Sequence, residues 1–273
     1  MKTASPLWLA GGGLLAACLT LWAGISLVGW TVGAVEHDEH HVLRGAVSEV
    51  RVDGAFSDVR LVPATGRDVI VDSHAEGSLW LPRMQTRIDG GHVTVSGSCG
   101  IVVFGHCSAS FVVRVPKGTP VSVSGGAGDV HVSDLDGPVD VKVASGDIEL
   151  ADVSGDVSAK LSSGDITARG LGSRAELETT SGDIDALELS SDVVNARAAS
   201  GDVTVDLIAA PKRVNAASSS GDVAIAVPRG SEDYDTQVAT SSGDRRLGVR
   251  SNPDAGRSLT AVTSSGDASI RYR

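Results

Sequence analysis

The chain has 273 residues, a net charge of −11 and 33 Gly, with few aromatic residues (Trp 4, Tyr 2, Phe 3) in a hydrophobic fraction of 41%. That length admits one large domain or two ordinary ones, and a core poor in rings must be built from Val, Ile, Leu and Ala in a narrow, regular interior. The acidic surface repels phosphate backbones, which argues against nucleic acid as a partner and against peripheral binding to anionic lipid.

Residues 1–6 carry only Lys2, and residues 7–35 carry no charge at all. About 20 apolar residues are enough to cross a bilayer as a helix. Trp8 and Trp30 lie 22 positions apart, which on a helix is about 33 Å, and Trp favours the two membrane interfaces. Lys2 before the span and Glu36-His37-Asp38-Glu39 after it place the N-terminus in the cytoplasm. The leading expectation is therefore a single-pass anchor in the cell membrane, with everything after residue 35 outside. A cleaved signal peptide ending at Val32-Gly33-Ala34 is a rival reading, although its apolar core exceeds the usual run of about 7–15 residues. A lipoprotein signal at Leu15-Ala16-Ala17-Cys18 is another, although Leu19-Thr20-Leu21-Trp22 stays apolar. All three readings export the remainder.

Residues 36–46 read as a solvated juxtamembrane spacer. Glu36-His37-Asp38-Glu39-His40-His41 contains metal-ligating types, but nothing in the sequence imposes a geometry on them. Residues 47–120 are β in character but irregular, and are expected to cap the regular repeat of the C-terminal half. The strand candidates there are Val50-Arg51-Val52, Val59-Arg60-Leu61, Val69-Ile70-Val71, Val93-Thr94-Val95 and Phe111-Val112-Val113-Arg114-Val115. Gly54, Gly66, Gly90-Gly91 and Pro116 punctuate them. Cys99 and Cys107 flank a seven-residue hairpin candidate, and outside the cytoplasm they are expected to form a disulfide contributing about 2–3 kcal/mol. Two Cys and His106 do not make a four-ligand zinc site.

Residues 121–273 carry the strongest pattern, Ser-Gly-Asp or a close variant, mostly followed by a β-branched residue. Its Gly falls at Gly128, Gly146, Gly164, Gly182, Gly201, Gly221, Gly243 and Gly266, with intervals of 18, 18, 18, 19, 20, 22 and 23 residues. A ninth copy, centred on Gly155, lies midway between two of these. Gly permits the positive φ of a tight corner, and Asp is expected to bond the backbone within its own corner. Between corners, apolar and polar residues alternate, as in Val203-Thr204-Val205-Asp206-Leu207 and Val157-Ser158-Ala159-Lys160-Leu161, which is the period of a half-buried strand. A unit of 18 residues cannot bury its apolar face alone but can do so by stacking. The expected architecture is an all-β solenoid of stacked rungs of about 18–23 residues, with the glycine corners in one vertical ladder. The spacing fits a two-faced or a three-faced coil. A propeller blade needs about 40 residues, and a β-sandwich is the alternative. Arg245, Arg246, Arg250 and the last rung, Ala268–Arg273, gather positive charge at the C-terminal end, where charge on an open edge opposes edge-to-edge pairing.

With this ladder, the exported N-terminal stretch and the segment Val121-Ser122-Val123-Ser124-Gly125-Gly126-Ala127-Gly128-Asp129-Val130, the chain resembles the bacterial putative-adhesin family of β-strand-repeat envelope proteins, a domain of unknown function. The likeness spans residues 47–273. It implies a repetitive β fold at the cell surface and no catalytic residues.

The column of Asp147, Asp165, Asp183, Asp202 and Asp222, continued by Asp129, Asp244 and Asp267, invites a calcium reading. Calcium β-rolls, however, use a Gly-Gly-x-Gly-x-Asp nonapeptide, and here Asp directly follows a single Gly. Neighbouring carboxylates about 4.8 Å apart in water repel by roughly 0.9 kcal/mol, which exposed turns tolerate without a cation. No nucleophile elbow and no phosphate loop with Gly-Lys-Ser/Thr is present. Gly125-Gly126-Ala127-Gly128 occupies a regular slot of the repeat and is not followed by a helix pattern. A sugar-cleaving site would present aromatic platforms, and the repeat half has only Tyr234 and Tyr272. No cofactor and no enzymatic activity are expected. The expected role is a binding platform for a protein or an envelope polymer. The alternative is an accessory or sensory subunit that meets a partner in the membrane through the small residues Gly11-Gly12-Gly13 and Ala16-Ala17. A polysaccharide-cleaving enzyme ranks third.

Overall fold

The computed structural model describes residues 35–77, 82–98 and 107–273. The expected membrane span at 7–35 and Cys99 lie outside the described residues, save for Val35. The first six strands are β1 (Val35–Leu43), β2 (Glu49–Pro63), β3 (Val69–Gly77), β4 (Arg83–Asp89), β5 (His92–Ser98) and β6 (Cys107–Val115). Then come β7 (Val121–Ala127), β8 (Val130–Ser133), β9 (Val139–Ser145), β10 (Ile148–Ala151), β11 (Val157–Ser163), β12 (Ile166–Arg169), β13 (Arg174–Ser181) and β14 (Ile184–Leu189). The last are β15 (Val193–Ser200), β16 (Val203–Leu207), β17 (Arg213–Ser220), β18 (Val223–Val227), β19 (Asp235–Ser242), β20 (Arg245–Gly248), β21 (Ser258–Ser265) and β22 (Ala268–Tyr272).

From β7 onward, odd strands pair in parallel with odd strands and even with even, so each coil lays one strand in each of two sheets. The glycine corner joins the odd strand to the even one. Pairing is in register, and equivalent positions stack as aliphatic columns: Val130, Ile148, Ile166, Ile184, Val203 and Val223 lie one above another, each at most 2% exposed. Burying one such side chain stabilises by about 1.5–3 kcal/mol, and only the neighbouring coil supplies the burial. The alternation read from the sequence is the inside–outside alternation of the fold: β11 runs Val157, Ala159 and Leu161 inward with Ser158 and Lys160 outward.

At both ends the stack departs from chain order. At the C-terminal end, β21 and β22 pair with β17 and β18 on one side and with β19 and β20 on the other. The last rung of the sequence is therefore interior, and the coil Asp235–Gly248 forms the end of the stack. Residues 228–234 and 249–257 leave and return around that coil, which accounts for the longer spacings there. At the other end, β2 pairs through Glu49–Gly54 with β5 and β7, and through Ser57–Pro63 with β6 and β8. One strand thus crosses both sheets as a complete coil.

The segment 36–46, expected as a solvated spacer, is instead largely the edge strand β1. It pairs antiparallel with β3 along its whole length, and β3 pairs antiparallel with β6. The alternating side chains of this polar run present two faces, and the full backbone ladder compensates for its lack of apolar residues. The other sheet ends in the hairpin β4–β5, turned by Gly90 and Gly91 at φ of 55° and 86°, the pair of positive values that a two-residue hairpin turn requires.

Candidate functional site

The glycine corners stand on a common edge. Gly128, Gly146, Gly164, Gly182, Gly201, Gly221, Gly243 and Gly266 all hold φ between +119° and +143°. A second constraint acts on the same residues. A Cβ at Gly164 would lie 2.0 Å from the carbonyl oxygen of Gly146, and one at Gly182 2.0 Å from that of Gly164. Each corner sits directly on the carbonyl of the corner below, so both backbone sign and contact demand Gly.

The Asp of each corner does not fold back on its own turn, as the sequence suggested. It reaches along the stack. Asp147 Oδ1 accepts the backbone N–H of Asp165 at 2.9 Å, Asp165 that of Asp183 at 2.8 Å, Asp183 that of Asp202 at 2.8 Å, and Asp202 that of Asp222 at 2.7 Å. The column continues through Asp267 and ends on Asp244. At the open end Asp244 has no coil beyond it, and Arg246 pairs with it at 3.1 Å. At the other end the column begins at Asp58, which accepts the N–H of Asp129 at 3.0 Å. The sequence reading missed Asp58 because Ser57 stands where every other copy has Gly; the surviving signal is Ser57-Asp58-Val59. With one oxygen of each carboxylate held by the backbone, the ladder acts as a clamp between coils. Among the described residues no group of three or more His, Cys, Asp or Glu is placed to hold a metal ion.

Gly155 belongs to the opposite edge. A Cβ there would meet the carbonyl of Gly137 at 2.1 Å, and its φ is not among the positive ones, so contact alone demands Gly. Asp156 beside it accepts from the Ser173 hydroxyl and from the Arg174 N–H. These bonds, the Ser173 hydroxyl first, hold its carboxyl below the ordinary range. Cys107, at the start of β6, is disulfide-bonded.

A further cluster lies on β1 and β3. His40 Nδ1 lies 2.5 Å from Asp72 Oδ1, and Arg114 reaches the other oxygen of the same carboxylate. His74 lies 2.6 Å from Asp38 and 3.1 Å from Glu76. Glu39 sits between His37 and His41 at 3.2 and 3.0 Å. The sequence flagged this run but could not show that His74 and Asp72, more than thirty residues on, complete it.

The fold is all-β, two long and mostly parallel sheets in a β-solenoid-like stack with a laddered Gly-Asp edge. The chain belongs to the Toastrack DUF4097 family, matched over residues 47–272. Among solved structures it is similar to a putative adhesin from Bacteroides fragilis NCTC 9343 (16% identity, 88% of this chain and 97% of that one, TM-score 0.48). It is also similar to a putative lipid binding protein from Parabacteroides distasonis ATCC 8503 (12% identity, 87% and 97%, TM-score 0.41) and a putative adhesin from Parabacteroides merdae ATCC 43184 (12%, 89% and 97%, TM-score 0.34). No curated protein matches.

Proposed function

We propose that the chain is a membrane-anchored, extracytoplasmic platform that binds a protein or an envelope polymer along its sheet faces. The observation that carries this reading is the outer face of the odd-strand sheet. Asp140, Ser158, Glu176, Asn195, Asn215 and Thr260 stand in one row across successive strands. Strands repeat every 4.7–4.9 Å or so, so the row is a straight file of short hydrogen-bonding side chains on a stiff backing. Such a file suits an extended ligand better than a compact substrate. The apolar run 7–35 leads directly into β1, which ties the anchor to one end of the stack.

Two measurements test this. In intact cells, a thiol-reactive, membrane-impermeant reagent should label Ser158→Cys, and the protein should stay with the membrane after carbonate extraction. Purified full-length chain should then co-sediment with cell-wall material, and Asn195→Arg combined with Asn215→Arg should abolish this without changing Tm. Undiminished sedimentation of that variant would remove the platform reading of this face.

A further inference from the structure

In the regular coils the corner opposite the Gly-Asp ladder is closed by an aliphatic plug. Asp134, Asp152 and Glu188 hold φ of 57°, 53° and 55°, and Gly170 holds 66°. Each turns the next residue inward, so that Leu135, Val153, Leu189 and Leu171 are at most 5% exposed.

The coil of β2 breaks this pattern. Leu61 is in register with Val132, and counting on three residues from each sets Ala64 against Leu135. Where the coils of β8, β10, β12 and β14 have a left-handed residue, this one has Pro63, whose ring fixes φ near −65° and forbids that turn. Where they have a branched plug, it has Ala64. The connections after β1, β2 and β6 all leave from this edge, and between them opens a cleft of about 760 Å³. Ligand-sized clefts run from about 300 to 1,000 Å³. Ala46, Val47, Ala64 and Pro116 give it apolar walls, while Arg67 and Lys117 give it charge.

Those two cations line one cleft of an acidic chain. Lys142, Lys160, Arg169 and Lys212 are each paired with a carboxylate on the surface. Among the described residues the side chains of Arg67 and Lys117, like those of Arg44, Arg60, Arg197 and Arg213, have no ion-pair or hydrogen-bond partner, but only Arg67 and Lys117 line this cleft. Asp68 also lines the cleft, so its lining carries one net positive charge where the whole chain carries −11. We infer that this cleft binds a small organic anion: a phosphate or carboxylate group held by Arg67 and Lys117, with a short aliphatic portion against Ala46, Val47, Ala64 and Pro116. The cleft opens beside the Gly45–Val47 connection after β1. With residues 7–35 as a membrane anchor, the proposal on which this point rests, the cleft stands at the far end of the nine-residue β1, about 25–30 Å along the strand from that junction; a dissolved anion reaches it freely, and a lipid headgroup reaches it only where the strand lies along the bilayer surface.

The test uses the full chain in discs of zwitterionic phosphatidylcholine, titrated with n-butyl phosphate, inorganic phosphate and n-butanol and monitored by calorimetry. Butyl phosphate is expected to bind saturably and to raise Tm. Arg67→Gln with Lys117→Gln should weaken it by about tenfold or more, the loss of roughly 1.4 kcal/mol. Ala64→Leu, which restores the plug of the regular coils, should abolish binding with Tm equal to or above the parent, separating occlusion from unfolding. Absence of saturable binding, or equal binding by parent and both variants, overturns the site. Equal affinity for inorganic phosphate overturns the aliphatic half of the assignment. Phosphatidylglycerol added to the discs should weaken butyl phosphate by competition if the bilayer supplies the anion, and unchanged affinity assigns the site to a dissolved one. The soluble-probe measurements do not depend on the anchor, so the site and the anchor can fail separately.

Discussion

Asp147 Oδ1 and the backbone N–H of Asp165 are 2.9 Å apart, although 18 residues separate them in the chain. A carboxylate that accepts from a backbone amide makes a charge-assisted bond contributing about 1.5–3 kcal/mol, reduced here by exposure to solvent. Asp147→Ala should therefore lower stability by about 1 kcal/mol in urea titration, and Asp147→Asn, which keeps an acceptor oxygen, should lose less. Since the ladder is satisfied by the backbone, EDTA should leave the Tm of the parent unchanged. A Tm rise in millimolar calcium would contradict the structural account of the column.

Gly164 should be far less replaceable than Asp147. Its φ is +124°, and an added Cβ would lie 2.0 Å from the Gly146 carbonyl oxygen. The neighbour is backbone in a packed ladder and cannot give way cheaply. Gly164→Ala is expected to cost more than about 4 kcal/mol, in the range reserved for strain and overpacking. Gly66, which has open space around it and no positive φ, is the control, and Gly66→Ala should be nearly neutral by the same urea titration.

The legibility of the fold stems from this contact geometry. A solenoid writes its period into the sequence because each corner repeats one steric demand, so Gly164 and Gly182 announce a shared edge. The direction of the Asp bonds was not legible: within one turn and between coils, the same residue types satisfy the same backbone group. The exchange of the last two coils was hidden for a related reason. The corners at Gly243 and Gly266 are equivalent, and only the partners of β21 reveal which lies inside. The spacer misread at residues 36–46 arose because β1 is stabilised by backbone pairing and by charges on β3, neither of which leaves apolar alternation behind. The cleft left only a silence, Pro63-Ala64 where other coils carry a turn residue and a branched one.

From β13 to β21 one coil lacks the core hydroxyl that its neighbours carry, while the earlier coils place Leu161 and Val143 in the same column. Thr179 Oγ1 donates to the Gly164 carbonyl at 3.3 Å, Ser218 Oγ to that of Gly201 at 2.8 Å and Thr263 Oγ1 to that of Gly221 at 2.8 Å. Ala198 stands in register between Thr179 and Ser218 and is 6% exposed. The equivalent acceptor is the Gly182 carbonyl. Ala198→Ser places a donor there with no added bulk beyond what Ser218 already shows the column accepts. It should raise stability by about 0.5–1.5 kcal/mol, read as an increased urea midpoint with unchanged m.

The β1–β3 contact should depend on pH from both sides. The bond to Asp38, then that to Glu76, raises His74 above its ordinary value. His40 first and Arg114 next lower Asp72, and His41 first lowers Glu39, with His37 contributing. A raised His contributes fully below its unfolded value of 6.5 and loses that contribution as pH rises through the folded value. The lowered carboxyls contribute above 3.8 and 4.5 and lose it as pH falls through their folded values. Glu36, set directly opposite Glu76, adds repulsion once the imidazoles are neutral. Hydrogen-exchange protection of the β1 amides should therefore be greatest between pH 4.5 and 6.5 and fall above it, while β11 protection stays flat. His74→Ala should remove much of the loss on the alkaline side.

Tyr234 leads into the end coil and is 1% exposed, yet among the described residues its hydroxyl has no hydrogen-bond partner, and burial pushes its ionisation upward. Its ring closes the last coils while its oxygen is desolvated without compensation, a penalty of about 1–3 kcal/mol. Tyr234→Phe keeps the packing and removes that oxygen, so it should be neutral or stabilising. Tyr234→Ala removes the ring as well and should cost about 3–5 kcal/mol, as large aromatic truncations in cores do. Chemical denaturation of the two variants separates the roles: a destabilised Phe variant would mean that the hydroxyl has a partner in solution, and a tolerant Ala variant would mean that the end coil does not depend on this ring.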